Sequence, residues 1–124
     1  LAVTLASLTM LKNLLQITRP ASDIYQTGGW SFPSGHTTLA TSFFFLLSYI
    51  FVDKVRSGKG KTLLIGGSFL GVFLASFSRI YLGAHWALDI LAGIALGLMS
   101  VSLTVLMFNL VFGENRSFRR RIHL

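Results

Sequence analysis

The stretch Ile90–Phe112, ILAGIALGLMSVSLTVLMFNLVF, holds no charged residue. By itself it reaches the roughly 20 residues that a helix needs to cross a bilayer. Lipid offers no partner to a backbone N–H or C=O, so the run is read as a helix, beginning at His85 and ending near Phe112. Working outward, three more apolar runs appear, Leu1–Thr18, Ser34–Val52 and Thr62–Phe77. In water, these runs would have to bury one another completely within 124 residues, which a chain of this size cannot achieve. The expected fold is therefore all-α, a polytopic transmembrane bundle of four helices forming one domain over residues 1–124.

Composition supports lipid as the solvent. Hydrophobic residues make up 52% and charged residues 12% of the chain, against about 25% charged in soluble domains. The absence of cysteine excludes a disulfide scaffold, a thiolate nucleophile and cysteine-based metal sites. A net charge of +7 would suit nucleic acid if the cations formed one face, but they sit in short clusters between apolar runs. Lipid headgroups and a phosphate substrate are the expected partners, and nucleic acid is not. The chain opens at Leu1 inside an apolar run, which reads as a domain cut from a longer protein.

The connections differ in kind. Asp53–Lys61 (DKVRSGKGK) and Gly113–Leu124 (GENRSFRRRIHL) are basic and read as a solvated loop and a cytoplasmic tail, with Arg116–Arg121 as a topology determinant. Pro20–Pro33 and Ser78–Ala84 are poor in Lys and Arg, and alternating spans place them together on the opposite, outward face. Tyr25 and Trp30 are expected to anchor the first of these at the interface. Gly67/Gly71 and Gly93/Gly97 have the spacing of small residues that let membrane helices approach closely.

The outward face gathers Lys12, Arg19, Ser34, His36, Ser78, Arg79, His85 and Asp89. Lys12 and Arg19 are seven apart, two helical turns, and are expected on one stripe of the first helix. Two cations at membrane depth require an anion, although snorkelling to headgroups accounts for each alone. Pro33-Ser34-Gly35-His36 reads as a helix start with a serine N-cap and free N–H groups, suited to an anion. His85 and Asp89, four apart, are neighbours on a helix face, so the carboxylate can fix the imidazole tautomer. A metal site is the rival reading of that pair. The third histidine, His123, falls at the opposite membrane face, and the surrounding cations repel a metal ion.

The set Lys12-x6-Arg19-Pro20, Pro33-Ser34-Gly35-His36 and Ser78-Arg79-x5-His85-x3-Asp89 resembles the three-part signature of the type 2 phosphatidic acid phosphatase (PAP2) superfamily. The resemblance spans residues 12 to 89. It implies an integral-membrane, metal-independent phosphatase with no cofactor, and four helices of a core that in the family usually has about six. It further implies that His85 is a nucleophile forming a phosphohistidine, that Asp89 holds its ring, and that His36 is the general acid. Lys12, Arg19, Ser34, the Gly35 N–H and Arg79 would bind phosphoryl oxygens. The implied substrates are undecaprenyl pyrophosphate, phosphatidylglycerophosphate or phosphatidic acid, reached from the outer face of a bacterial inner membrane. Two alternatives stand beside hydrolysis: transfer of the phosphoryl group to a lipid or sugar acceptor, and a non-enzymatic module that binds anionic lipid.

Overall fold

The computed structural model describes residues 1–21 and 28–122, with side chains through Val111. Four helices follow one another: α1 (Ala2–Leu15), α2 (Gly35–Phe51), α3 (Gly58–Tyr81) and α4 (Ala87–Ile122). Among the described residues there is no strand. Tyr25 and His123, and the side chains of Arg116–Arg121, lie outside the described residues.

The boundaries follow from caps more than from hydrophobicity. Helix α1 stops three residues before the expected Thr18, because Gln16 turns left-handed at φ 47° and its N–H closes on the Lys12 carbonyl. Arg19 consequently leaves the helix and does not share a helical stripe with Lys12, as the spacing had suggested. Helix α3 is longer at both ends than the expected Thr62–Phe77. Ser57 caps it, its hydroxyl accepting from the Gly60 N–H at 3.0 Å, so Lys59 and Lys61 join the first turn. Charges at a helix end reach water without interrupting it, so hydropathy runs out before the helix does. Helix α4 begins at Ala87, not His85, with the Trp86 N–H donating to Asp89 Oδ2 at 2.8 Å, one half of a capping box. Its backbone stays helical to Ile122, past the Gly113 where a solvated tail was expected. Glu and Arg are good helix formers, and polarity there does not oppose the helix.

Two helices, Gly58–Tyr81 and Ala87–Val111, are long and apolar enough to cross a membrane, while α1 and α2 are shorter apolar helices. The interior reverses the usual soluble pattern. Thr4, Thr37, Thr38, Thr41 and Ser42 are buried, while Leu63, Phe69 and Phe73 face outward. Within lipid there is no hydrophobic force between helices, so association rests on close packing and interhelical hydrogen bonds. Helix α2 packs chiefly on α4 and α3. Gly97 sits so near α2 that a Cβ there would lie 2.7 Å from Thr41 Cβ, and one at Gly93 would lie 3.0 Å from the Ser34 carbonyl. The expected Gly93/Gly97 contact is therefore present. In the other pair Gly71 packs under the Phe44 ring, but Gly67 faces open space. Ser42 Oγ donates to the Gly97 carbonyl at 3.3 Å and accepts from Thr4 Oγ1 at 3.2 Å, tying α1, α2 and α4.

Candidate active site

At one end of the bundle the two weakly charged connections meet, as the alternation of spans requires. The Ser34 N–H donates to the Asp89 carbonyl at 3.0 Å, and the Ser31 N–H donates to the Ile17 carbonyl at 2.7 Å. Trp86 Nε1 donates to the Thr18 carbonyl at 3.3 Å. The segments after α1, before α2 and before α4 are thus laced into one layer.

His85 lies buried in that layer. Its Nδ1 is 3.3 Å from Asp89 Oδ2 and 3.3 Å from Ser31 Oγ, while its Nε2 is 3.3 Å from Arg19 Nη1. A guanidinium only donates, so Nε2 must accept and the ring proton must sit on Nδ1, facing the carboxylate. That tautomer leaves the Nε2 lone pair beside a fixed cation. Burial pushes the His85 pKa below the ordinary histidine value of 6.5, and the Arg19 charge adds to this. The Asp89 hydrogen bond and charge pull the other way, and Lys12 weakly reinforces the lowering. A neutral imidazole near pH 7 is the form that can attack an electrophile.

Two of the cations, Lys12 and Arg19, donate to backbone carbonyls. Half-buried Lys12 reaches from α1 to the Trp30 carbonyl at 2.7 Å. Arg19, also half-buried, donates from Nε to the Gly29 carbonyl at 3.3 Å and from Nη1 to the Ala84 carbonyl at 2.9 Å. Arg79, in the last turn of α3, donates from Nε to Ser78 Oγ at 3.1 Å. His36 is exposed in the first turn of α2, within electrostatic reach of Arg79, Arg19 and Lys12. The N–H groups of that first turn have no carbonyl one turn earlier to bond. Ser34 occupies the N-cap position but is fully buried, and its hydroxyl donates to Thr37 Oγ1 at 3.0 Å. Gly35 stands against Lys12, a Cβ there falling 4.0 Å from Lys12 Cε.

Direct contacts thus join Arg19, His85 and Asp89, and Lys12 is tied in through the 30–31 backbone. His36 feels the charges of Arg79, Arg19 and Lys12. Among the described residues no three His, Asp or Glu side chains cluster as a metal site. Ser31 escaped the sequence reading. It is fully buried and its hydroxyl donates to Asp89 Oδ2, yet it lies in a connection with no spacing signal.

Two cavities flank the site. An open one of about 310 Å³ is lined by Thr18, Arg19, Gly28, Gly29 and Trp30. An apolar groove of about 390 Å³ runs between α2, α3 and α4, with Phe45, Phe69, Phe73 and Phe77 along it and Ile80 and Ile90 beside Arg79 and Asp89.

The chain as a whole has relatives among known proteins. Residues 1–112 match the family model of the PAP2 superfamily, and the chain belongs to that superfamily. Phosphatidylglycerophosphatase B of Bacillus subtilis is 32% identical over 90% of this chain and 52% of its own length. A lipid A 4'-phosphatase of Porphyromonas gingivalis is 37% identical over 60% of this chain and 28% of its own length. The crystal structure of a transmembrane PAP2-type phosphatidylglycerolphosphate phosphatase from Bacillus subtilis superimposes with a TM-score of 0.76 at 28% identity. That match covers 82% of this chain and 52% of the other. The chain therefore spans about half the length of these two Bacillus subtilis proteins. The all-helical fold, the apolar spans and these relatives make it an integral membrane protein of a lipid phosphatase family.

Proposed function

We propose that this chain carries the catalytic centre of a metal-independent lipid phosphatase working through a phosphohistidine. The observation that carries the reading is His85 held between Asp89 on Nδ1 and Arg19 on Nε2. Neutral Nε2 attacks phosphorus, the bond from phosphorus to the leaving oxygen breaks, and protonated His36 delivers its proton to that oxygen. Neutral His36 then takes a proton from water as the hydroxide displaces phosphate from Nε2, which restores both rings.

Lys12, Arg19 and Arg79, with Ser34 and the Gly35 N–H, would receive the charge on the equatorial phosphoryl oxygens. Catalysis of phosphoryl transfer is mostly this combination of positioning and charge stabilisation. Cations already fixed by carbonyls need no reorganisation as the negative charge gathers. The apolar groove, lined by Ile80 and Ile90, which follow Arg79 and Asp89 in the chain, suits the hydrocarbon part of a lipid phosphate, whose headgroup would lie at the bundle end. Undecaprenyl pyrophosphate, phosphatidylglycerophosphate and phosphatidic acid are the candidate substrates. The basic segments at the other end support an outward-facing site in a bacterial inner membrane.

The test is phosphate release from these three lipids in detergent, using the full-length protein. Radiolabelled phosphoryl should appear on the acid-quenched protein and vanish in His85→Gln. Activity should survive EDTA, and loss restored by a divalent cation would reject the metal-free mechanism. Label passing to an added lipid or sugar alcohol at the expense of free phosphate would identify a phosphotransferase instead.

A further inference from the structure

Ser31 is fully buried, yet its backbone and its side chain serve different partners. Its N–H holds the Ile17 carbonyl at 2.7 Å, and its carbonyl lies 3.5 Å from Lys12 Nζ. These contacts tie the stretch that carries Arg19 to the layer, and any residue could make them. The hydroxyl does something else. It donates to Asp89 Oδ2 and stands 3.3 Å from His85 Nδ1. A hydroxyl has one proton to give and lone pairs to receive. With its proton directed to the carboxylate, Oγ can only accept at Nδ1.

We propose that Ser31 is a positioning residue of the phosphoryl-transfer centre: its hydroxyl bridges His85 Nδ1–H and Asp89 Oδ2 and so locks the tautomer that presents the Nε2 lone pair to phosphorus. The proposal rests on His85 being the nucleophile. Asp89 alone is a loose guide, because its Oδ2 also accepts the Trp86 N–H at 2.8 Å and faces Nδ1 at 3.3 Å. Ser31 supplies a second acceptor for the same ring proton and a donor that fixes the carboxylate, so ring and carboxylate cannot rotate independently. Partners that orient a metal-bound histidine in the same way cost about 10- to 100-fold when removed, and the same scale is expected here.

The charged groups around the ring also predict a direction in pH. Arg19 and Lys12 face it from the α1 side and Asp89 from α4, while α2 brings His36 and α3 brings Arg79 to the same end of the bundle. Without the Ser31 proton, the Asp89 charge is offset less and favours the imidazolium more. The acid limb of kcat/KM should then move to higher pH.

The experiment compares wild type, Ser31→Ala, Ser31→Thr, Asp89→Asn and the Ser31→Ala/Asp89→Asn double variant in detergent, with His85→Ala as a reference. Expected are a kcat lowered about 10- to 100-fold in Ser31→Ala at unchanged KM, a raised acid limb, and recovery of most of the rate in Ser31→Thr. In the Asp89→Asn background the same alanine should cost little more, whether or not it also lowers the unfolding temperature. A wild-type kcat in Ser31→Ala, an unmoved acid limb, or a loss that multiplies in full with Asp89→Asn overturns the proposal while leaving the phosphohistidine reading intact. Activity retained by His85→Ala overturns that reading and this proposal with it.

Discussion

Where α1 and α3 finish, Lys12 and Arg19 are half-buried and donate to the carbonyls of Trp30, Gly29 and Ala84, whereas Lys54, Arg56 and Lys59 at the other end of the bundle stand exposed. The first group meets a buried imidazole and carboxylate. In the second, Lys54 lies 5.0 Å from the centre of the Phe51 ring. Equal formal charge thus has two physical settings. A cation fixed in a partly dry layer keeps its field and needs no rearrangement when an anion arrives. An exposed cation is screened by salt within about 8–10 Å.

The contrast can be broken most sharply at its centre. His85→Ala should lower kcat by about 10⁴-fold or more, the scale of losing a nucleophile. The combined Lys54→Gln, Arg56→Gln and Lys59→Gln variant should leave kcat unchanged in a phosphate-release assay. Comparable losses from both would mean that the two ends do not differ in function.

Arg19→Lys should come next, costing about 10²- to 10³-fold, since an ammonium cannot reproduce the planar fork that meets Gly29, Ala84 and His85 together. Burial first and Arg19 second lower the His85 pKa, so kcat/KM should fall on acidification only below the ordinary value of 6.5. Arg19→Gln removes one lowering influence and should shift that limb upward. A limb that stays in place would detach Arg19 from the His85 ring.

The smallest effect belongs to the seam that holds the two ends apart. Gly97→Ala would press a methyl against Thr41 and should cost about 1–3 kcal/mol of stability, read from unfolding in detergent. Gly67→Ala meets open space and should cost nothing, gaining up to about 1 kcal/mol from helix propensity. Equal effects would show that the α2–α4 approach does not set the packing.

The helices were legible because hydropathy reports on solvent, and the runs at Ser34–Val52 and His85–Phe112 lie within a few residues of where α2 and the apolar part of α4 sit. Their ends were not, because caps decide them. Gln16, Ser57 and the Asp89 carboxylate terminate or start helices through single hydrogen bonds that leave no trace in periodicity. The same limit hid Ser31, since nothing local distinguishes a loop serine from one buried against a carboxylate.

What the amino-acid order determined by itself was the solvent, the alternation of spans and hence which connections share a side, because apolar length and the placement of Lys and Arg act locally along the chain. Only the folded arrangement decided which nitrogen of His85 holds the proton, which carbonyls hold Lys12 and Arg19, and that Arg19 approaches from the non-helical segment after α1. Those are relations between groups tens of residues apart, and hydrogen-bond direction at such a distance exists only once the backbone has brought donor and acceptor face to face.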